Sequence, residues 1–282
     1  MITPALQAEI AEKLKKKIIA VAPLSAANNA QIYRLGIEGG ISVVAKVAER
    51  GLDTEAFMLK YLKENSQLPV PTVHYSNEHV IIMEFIETHY SADDKAQRHA
   101  AEVLAALHGV TAPLYGFERD TVIGSLRQPN PQTADWVDFF ANQRLIFMGR
   151  QALEEKKIDA KMMKQIEKLA GKLSVYIKKP NPPSLIHGDI WGGNILFGRS
   201  RVAAFLDPAI YYADAEIELA FIRLLGAFND TFFGRYNELR PIAAGFEEER
   251  ADIYNVYPLL VHTRLFGTSY VRKVQRILDK FV

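Results

Sequence analysis

The segment HGDIWGGN at residues 187–194 places an acid and an amide at a spacing that suits phosphoryl transfer. Asp189 and Asn194 lie on one loop, and Asp207 follows after two short apolar runs. Phosphoryl transfer needs positioning and charge neutralisation more than covalent help from the protein. A carboxylate can accept the proton of an attacking hydroxyl, and carboxylate and amide oxygens suit Mg²⁺. We therefore predict Asp189 as the base and Asn194 and Asp207 as Mg²⁺ ligands, with ATP as the donor.

These side chains can meet only if short strands and tight loops surround them. Residues 184–208 read as strand, loop, strand, turn and strand, and the last strand ends in Asp207. This order brings the three polar groups to one end of a small sheet. His187 is predicted to support the loop by hydrogen bonding. Trp191 is predicted as a platform for a sugar ring or a cation, with a plain core position as the alternative.

The chain before residue 88 predicts a small antiparallel sheet with helices packed on it. The pattern consists of an amphipathic helix at 5–19, a hairpin of 31–37 and 41–48, a helix at 55–65 and a strand at 79–87. Gly39 and Gly40 supply the positive φ angles that the tight hairpin turn needs. Thr54 is the predicted cap of the second helix.

After residue 88 the pattern becomes mainly helical. Apolar residues recur at helical spacing at 91–108, at 135–155, at 159–179 and from 215 onward. The predicted fold class is therefore α+β, with an N-terminal sheet lobe at 1–87 and a helical C-terminal lobe at 88–282 that carries the β-loop of the site. A cleft between two lobes is a common place for a ligand.

The loop resembles the catalytic segment of protein kinases, H-R-D-x-x-x-x-N followed by D-F-G. The spacing from Asp189 to Asn194 matches, whereas Gly188 replaces the Arg and residues 207–209 (DPA) replace D-F-G. These two departures look like the aminoglycoside phosphotransferase and choline kinase branch, which has no phosphorylated activation loop. The resemblance implies a two-lobed protein kinase-like fold.

Several longer segments resemble one family within that branch, the fructosamine kinases or ketosamine 3-kinases. Besides HGDIWGGNILF, they are residues 207–220, 116–130, 135–145 and 254–270, so the resemblance covers nearly the whole chain. The family implies ATP-dependent phosphorylation of the sugar 3-hydroxyl of ketosamines, which are amines modified by sugars. Trp191 is the most telling residue for this resemblance.

The kinase resemblance also suggests how a nucleotide binds. Lys46 lies in the apolar strand ISVVAKVA and matches the lysine that holds the α- and β-phosphates and pairs with a helix Glu, here Glu55. The alternative for Lys46 is a solvated lysine on the strand, and the alternative for Glu55 is a carboxylate that is favourable in the first turn of a helix. Residues 83–87 (MEFIE) resemble the hinge between lobes, where the main chain of Glu84 and Ile86 binds adenine; a plain strand end is the alternative.

One departure concerns the loop that covers the phosphates. Kinases use a glycine-rich loop here, whereas residues 24–35 contain no glycine. Ser25, Asn28 and Asn29 can offer side-chain donors, and asparagine tolerates positive φ. The sequence therefore leaves open whether ATP or another nucleotide is used.

Three acidic residues, Asp214, Glu216 and Glu218, follow Asp207 closely. Asp214 resembles a family position near the substrate, and the cluster would attract a cationic amine if it faced the cleft. The alternative is a helix N-terminus, which favours carboxylates.

Length and composition argue against other classes of protein. The chain has 282 residues, of which 49% are hydrophobic, enough for a large core. Its 34 basic and 33 acidic residues give a net charge of +1. This nearly balanced charge gives no indication of binding to nucleic acid or to an anionic membrane. It has no cysteine, no signal-peptide core in residues 1–24 and no apolar run of membrane-spanning length. We predict a cytoplasmic protein acting on a small-molecule or glycated-protein amine; its oligomeric state is open.

Two other functions stay open at this point. An aminoglycoside-, choline- or homoserine-type kinase would share the same chemistry, although Trp191 and the C-terminal resemblance favour a ketosamine kinase. A catalytically inactive kinase-like binding module would fit the glycine-free stretch 24–35. The joint presence of Lys46 and the three site residues on the β-loop argues against that module, because a pure binder needs no base.

Overall fold

The computed structural model describes residues 2–27, 30–88, 90–178 and 180–282, without the side chains of residues 26, 27 and 268. The first part of the chain forms an antiparallel sheet with two helices, and the second part is mainly helical. The predicted α+β class is thereby confirmed. Within the described ranges, no helix has both the length and the apolar character needed to cross a bilayer.

A five-stranded antiparallel sheet forms the centre of the first part, which we call the sheet lobe (Pro4–Glu84). Its strands are β1 (Ile18–Ala27), β2 (Ala30–Ile37), β3 (Ile41–Val47), β4 (Val73–Ser76) and β5 (Val80–Glu84), in the order β1-β2-β3-β5-β4. The predicted hairpin is confirmed as β2 and β3, which pair in register from Gln31 opposite Val47 to Ile37 opposite Ile41. Gly39 and Gly40 have φ angles of 94° and 76° in the turn.

The predicted first helix is too long. Helix α1 (Pro4–Leu14) ends where Lys15 adopts a left-handed conformation with φ 53°, and β1 begins three residues later. The amides of Lys15 and Lys16 donate to carbonyls of the last turn, which closes the helix. The residues from Ile18 onward then pair with β2 as an edge strand. Their apolar spacing had fitted a helix equally well.

The two faces of the sheet support separate clusters. Helix α1 packs with Tyr33, Leu35 and Val43 in a small cluster on one face. Helix α2 (Leu52–Asn65) packs with Ile81 and Met83 on the other, as part of the main core. Alternate β3 side chains thus point to opposite faces, and Lys46 points to the α2 side.

The predicted cap of α2 at Thr54 is wrong. The helix begins at Leu52, three residues before the predicted start at residue 55, and its N-cap is Gly51 at φ 88°. The Leu52 amide donates to the Glu78 carbonyl at 3.1 Å. Asp53 and Glu55 lie in the first turn, where carboxylates are favourable.

The second part, the helical lobe (Asp94–Phe281), holds most of the core. Its α-helices are α3 (Asp94–His108), α4 (Trp136–Phe139), α5 (Phe147–Glu154), α6 (Ala160–Ala170), α7 (Leu173–Tyr176), α8 (Glu216–Leu225), α9 (Asp230–Leu239), α10 (Ala251–Phe266) and α11 (Val271–Phe281). The π-helical segments Phe140–Ile146 and Phe246–Arg250 lead into α5 and α10, and Thr268–Tyr270 forms a 3₁₀ turn. The predicted lobe boundary at residue 87 falls between β5 and α3 and stays a prediction.

Short two-stranded sheets lie within the described part of the helical lobe. They are β6 (Thr121–Ile123) with β7 (Leu126–Gln128), β8 (Ser184–Ile186) with β11 (Tyr211–Ala213), and β9 (Ile195–Gly198) with β10 (Arg201–Phe205). All three pairs are antiparallel. The predicted strand, loop, strand, turn and strand at 184–208 is confirmed as β8, β9 and β10.

Candidate active site

Two loops of the helical lobe lie side by side and carry the predicted reactive groups. One loop joins β8 to β9 and contains Asp189 and Asn194; the other joins β10 to β11 and contains Asp207. Backbone bonds tie the loops together, from Leu206 N to Asn194 O at 2.9 Å and from Ala209 N to His187 O at 2.7 Å. The loop of Asp189 and Asn194 therefore lies next to the loop of Asp207, as the sequence predicted.

Asn194 contacts Asp189 directly. Its Nδ2 donates to the Asp189 carbonyl at 2.9 Å and to Asp189 Oδ2 at 3.0 Å. These bonds commit the amide nitrogen to the acid and leave the amide oxygen for another ligand. Asn194 is buried and ends a 3₁₀ turn. A hydrogen bond from its backbone amide to the Trp191 carbonyl closes this turn.

Lys46 joins the two lobes at the site. Its Nζ lies 2.8 Å from both carboxylate oxygens of Glu55 and 2.9 Å from Asp207 Oδ1. The predicted Lys46–Glu55 ion pair is therefore present in the structure. Lys46 is only 6% exposed, and a lysine buried so deeply needs such partners.

The charges of this cluster do not balance. Burial lowers the pKa of Lys46, but the Glu55 and Asp207 carboxylates outweigh it and raise that pKa above its ordinary value. Burial and the Asp207 charge raise the pKa of Glu55 against the opposing effect of Lys46. Burial, and to a smaller extent the negative charge of Asp207, raises the pKa of Asp189 to about 7. One ammonium thus faces three carboxylates, and a divalent cation would correct this imbalance.

The oxygens present fit Mg²⁺. This ion prefers hard oxygen ligands and takes few of them from protein, because it retains water and substrate phosphates. Asp207 offers a carboxylate that is 34% exposed, and Asn194 offers its amide oxygen. Groups of three or more acidic, histidine or cysteine side chains placed to hold a metal are absent from the described part of the chain.

A cavity of about 1290 Å³ lies between the lobes and reaches this cluster. The lining residues include the predicted Ser25, Lys46, Glu55, Glu84, Ile86, Asp189, Trp191, Asn194 and Asp207. The Glu84 amide donates to the Thr72 carbonyl at 2.9 Å, and the contact of the Glu84 and Ile86 main chain with adenine stays a prediction. The predicted Asn28, with Asn29, lies outside the described residues.

Trp191 is 43% exposed at the cavity, so the alternative of a plain core residue is wrong. Its ring lies over Gly193, where a Cβ atom would come within 2.2 Å of the indole. Gly193 therefore leaves room for the indole ring, which is partly exposed at the cavity.

His187 is fully buried and does not line the cavity. Its Nδ1 accepts the Asp189 amide at 3.3 Å, and its carbonyl accepts the Ala209 amide. Burial lowers its pKa, which favours a neutral ring. This placement agrees with the predicted support of the loop.

The acidic cluster does not face the cavity, which corrects two expectations. Asp214 is 1% exposed, and its carboxylate accepts bonds from the amide and side chain of Asn181, from the Glu216 amide and from the Tyr254 hydroxyl. Its predicted substrate contact is therefore replaced by a structural role. Glu216 pairs with Arg250 at 2.6 Å, and Glu218 contacts His108 at 2.8 Å.

The sequence did not reveal the buried polar side chains that fix the segments around the site to one another. Gln128 donates to the Ala209 carbonyl at 3.0 Å and accepts from the Tyr257 hydroxyl, so β7 is fixed to the loop that carries Asp207. Arg144 is fully buried, and its guanidinium donates to Pro129 O and to Asn130 Oδ1, both at 2.7 Å. These partners are distant in sequence, so no local pattern signals them.

Gly188 is predicted to tolerate no side chain. It has φ 86°, and an added Cβ would lie 2.2 Å from the Ala209 carbonyl oxygen. We expect Gly188→Ala to lower the free energy of unfolding by about 2–4 kcal/mol, because left-handed strain and steric overlap add. Gly192→Ala on the same loop is the control, since nothing lies within 4 Å of its Cβ position. Urea unfolding of both variants measures the difference; equal stabilities would contradict the assigned constraint.

Comparison with known proteins gives the family. The sequence model described as fructosamine kinase matches residues 11–282. A protein named "probable ketoamine kinase" from Enterococcus faecium is 33% identical over 202 residues, covering 71% of each chain. A chloroplastic protein-ribulosamine 3-kinase from Arabidopsis thaliana is 32% identical over 235 residues, covering 81% of this chain and 71% of the relative.

Solved structures agree with the sequence matches. A crystal structure named for a fructosamine-3-kinase from Thermobifida fusca superimposes with a TM-score of 0.90 at 27% identity, covering 98% of both chains. An aminoglycoside phosphotransferase in complex with AMP-PNP and hygromycin B gives 0.68 at 16% identity and 98% coverage of both chains. This second likeness confirms the predicted kinase-like fold. With the sequence match over residues 11–282, these findings show that the chain belongs to the fructosamine kinase family.

Proposed function

We propose that this protein transfers the γ-phosphoryl group of ATP to the 3-hydroxyl of a ketosamine sugar. The observation that carries the proposal is the convergence of Lys46, Asp189, Asn194 and Asp207 on one interlobe cavity. About 1290 Å³ is ample for a nucleotide and an acceptor together. The names of the ketoamine and ribulosamine kinase relatives support the choice of acceptor.

The nucleotide lies between the lobes in this proposal. Lys46, oriented by Glu55, binds the α- and β-phosphates, and Ser25 offers a hydroxyl on the sheet side of the cavity. The backbone of Glu84 and Ile86 binds adenine. Asp207 and Asn194 would hold Mg²⁺, which neutralises phosphate charge when bound.

Asp189 is the proposed base. Its carboxylate accepts the proton of the acceptor hydroxyl as that oxygen bonds to the γ-phosphorus, and the bond from the γ-phosphorus to the bridging oxygen of ADP breaks. Asn194 keeps the carboxylate oriented through its 3.0 Å bond to Oδ2. His187 supports the same loop through its bond from the Asp189 amide.

Trp191 is the proposed acceptor platform. An indole face suits both the apolar face of a sugar and a nearby cation, and this ring is exposed at the cavity within two residues of the base. Asp214 has no part in acceptor binding, since it is buried elsewhere. The location in the cytoplasm stays a prediction, because some relatives are named chloroplastic.

A panel of acceptors tests the function. The protein is incubated with Mg²⁺, ATP and one acceptor, and the products are read by phosphorus NMR. We expect a sugar 3-phosphate from ribulosyl-lysine or fructosyl-lysine, offered free or within a peptide, and none from choline, homoserine or an aminoglycoside. Product from the latter group alone would favour the related small-molecule kinases. Nucleotide binding without product from any acceptor would favour an inactive binding module.

A further inference from the structure

We infer that Thr121 is a positioning residue that holds the loop of Asp207 in the shape that a Mg²⁺ ligand needs. The inference rests on the proposed function, because it takes Asp207 as that ligand. Thr121 begins β6, is 1% exposed and does not line the cavity. It contacts neither metal nor nucleotide in the proposed arrangement, and it acts through a hydrogen bond to the loop backbone.

The β6–β7 hairpin has two different faces. Val122 and Arg127 lie directly opposite each other on the two strands, and both line the cavity. Thr121 and Gln128 form the next pair, and both are buried. Because neighbouring side chains of a strand point to opposite faces, this second pair is turned away from the cavity and toward the loop that joins β10 to β11.

The Thr121 hydroxyl uses its full hydrogen-bonding capacity. Its Oγ1 accepts from Gln128 Nε2 and from Asn130 Nδ2, both at 2.9 Å, and donates to the Ile210 carbonyl at 3.2 Å. A hydroxyl has one donor and two acceptor sites, so all of them are occupied. Gln128 Nε2 also donates to the Ala209 carbonyl at 3.0 Å. Two consecutive carbonyls of the loop are therefore bonded to side chains of the hairpin.

The direction of these bonds follows from the outer partners of the two amides. The Arg144 guanidinium, which can only donate, lies 2.7 Å from Asn130 Oδ1. Gln128 Oε1 accepts from the Tyr257 hydroxyl at 2.7 Å, while its Nε2 faces a carbonyl, which can only accept. Each amide therefore turns its nitrogen toward Thr121, so the threonine proton is left for the loop carbonyl.

The loop needs such fixing because its backbone is strained. Asp207 has φ 52°, a left-handed conformation that is unfavourable for a residue with a side chain and persists only where the surroundings hold it. On the other side of the loop, the Ala209 amide donates to the His187 carbonyl at 2.7 Å. The peptide units that follow Asp207 are thus held from two sides. Release of the hairpin side would let the backbone relax and turn the Asp207 carboxylate away from the proposed metal position.

Replacements of two buried threonines separate positioning from stability. Thr121→Val keeps the shape of the side chain and removes every bond of the hydroxyl, whereas Thr121→Ser keeps the hydroxyl. Thr263→Val is the matched control, because Thr263 is fully buried and its hydroxyl donates to the Leu259 carbonyl of its own helix α10 at 2.8 Å. Both valine variants should lose thermal stability with the buried hydrogen bond, and only Thr121→Val releases the loop of Asp207.

The first readout is calorimetric binding of a non-hydrolysable ATP analogue with and without Mg²⁺. We expect Thr121→Val to lower the Mg²⁺-dependent gain in affinity by about 10-fold, a usual cost of losing a group that orients a metal ligand. The affinity without Mg²⁺ should stay unchanged. Thr121→Ser and Thr263→Val should both keep the full gain. Equal losses in the two valine variants, or no recovery by serine, would overturn the inference.

The second readout is the backbone amide of Ala209 and needs no ligand. Labelling with carbonyl-¹³C proline and ¹⁵N alanine selects alanines that follow proline, which occur at Ala5 and Ala209. Ala5 is exposed, and Ala5→Ser removes its signal and so assigns the pair. We expect the Ala209 amide to lose protection from exchange with solvent in Thr121→Val and to keep it in Thr121→Ser. An equally protected Ala209 amide in Thr121→Val would overturn the inference.

Gln128→Met tests the same contact from the neighbouring strand and serves if Thr121→Val does not fold. Methionine keeps the length of the side chain and loses the bond to the Ala209 carbonyl. This variant should show both the weaker Mg²⁺ dependence and the loss of Ala209 protection, and retention of both would overturn the inference. Failure of the proposed function is a different result, because the unchanged protein would then turn over none of the acceptors.

Discussion

We expect replacement of Asp189 by asparagine to lower kcat by about 10³-fold and to leave the binding of Mg·ATP nearly intact. A missing general base typically costs 10²- to 10⁴-fold. The amide side chain has the same shape and can still accept the bond from Asn194 Nδ2, which lies 3.0 Å from Oδ2. Lys46 and Asp207 keep their own contact at 2.9 Å. Steady-state turnover with a ketosamine, and calorimetry with a non-hydrolysable ATP analogue, measure the two quantities separately.

Asp159→Asn is the control for the same chemical change. Asp159 caps α6 through a 2.8 Å bond from the Met162 amide, and asparagine caps helices equally well. This variant should keep full turnover. If Asp189→Asn phosphorylated the acceptor at the rate of the unchanged protein, Asp189 would not be the base.

The second large effect is expected at Asp207, where both turnover and the Mg²⁺-dependent part of ATP affinity should fall by about 10²- to 10³-fold. Asparagine is the appropriate replacement, because Asp207 has φ 52° and asparagine tolerates that left-handed conformation. The substitution thus removes charge with little backbone strain. Calorimetric titration of the ATP analogue with and without Mg²⁺ measures the affinity.

Asp189→Asn serves as the internal comparison for this experiment. It should retain the Mg²⁺-dependent gain in affinity that Asp207→Asn loses. An Asp207→Asn protein with undiminished Mg²⁺ dependence and undiminished turnover would show that Asp207 is not a ligand of the ion.

The reactive centre could be predicted because its members are close in sequence or follow a regular strand pattern. Asp189 and Asn194 share one loop, and Asp207 follows two residues after β10, which pairs with the strand after that loop. Lys46 could be recognised because a charge inside an apolar strand demands a partner. Their meeting is a consequence of short strands and tight turns, which local sequence specifies well.

The acidic residues after Asp207 show what local sequence leaves open. The sequence left open whether they face the cleft or form a helix N-terminus, and the structure gives each carboxylate its own buried partner in the helical lobe. Asp214 meets Tyr254, Glu216 meets Arg250, and Glu218 meets His108, with sequence separations of 40, 34 and 110 residues. Only tertiary packing selects among such partners, so their roles became visible in the structure alone.

The sheet shows a similar limit at β1. Ile18 and its neighbours continue the apolar spacing of α1, so periodicity favoured one long helix over a helix followed by a strand. The left-handed Lys15 ends the helix, and pairing with β2 stabilises the strand. A tertiary hydrogen-bond ladder thus outweighed local periodicity.

If Mg·ATP binds as proposed, the contact between Lys46 and Asp207 makes the binding of the metal and the binding of the phosphates depend on each other. An ammonium has three donors, and Lys46 places them on the two oxygens of Glu55 and on Asp207 Oδ1. A phosphate that takes over one of these donors frees Asp207 for a metal, and a metal on Asp207 frees the donor for phosphate. Linkage makes this mutual assistance equal in both directions. Lys46 thus balances the charge of Asp207 while no metal is bound. Free Mg²⁺ should therefore bind far more weakly than Mg²⁺ that arrives with ATP.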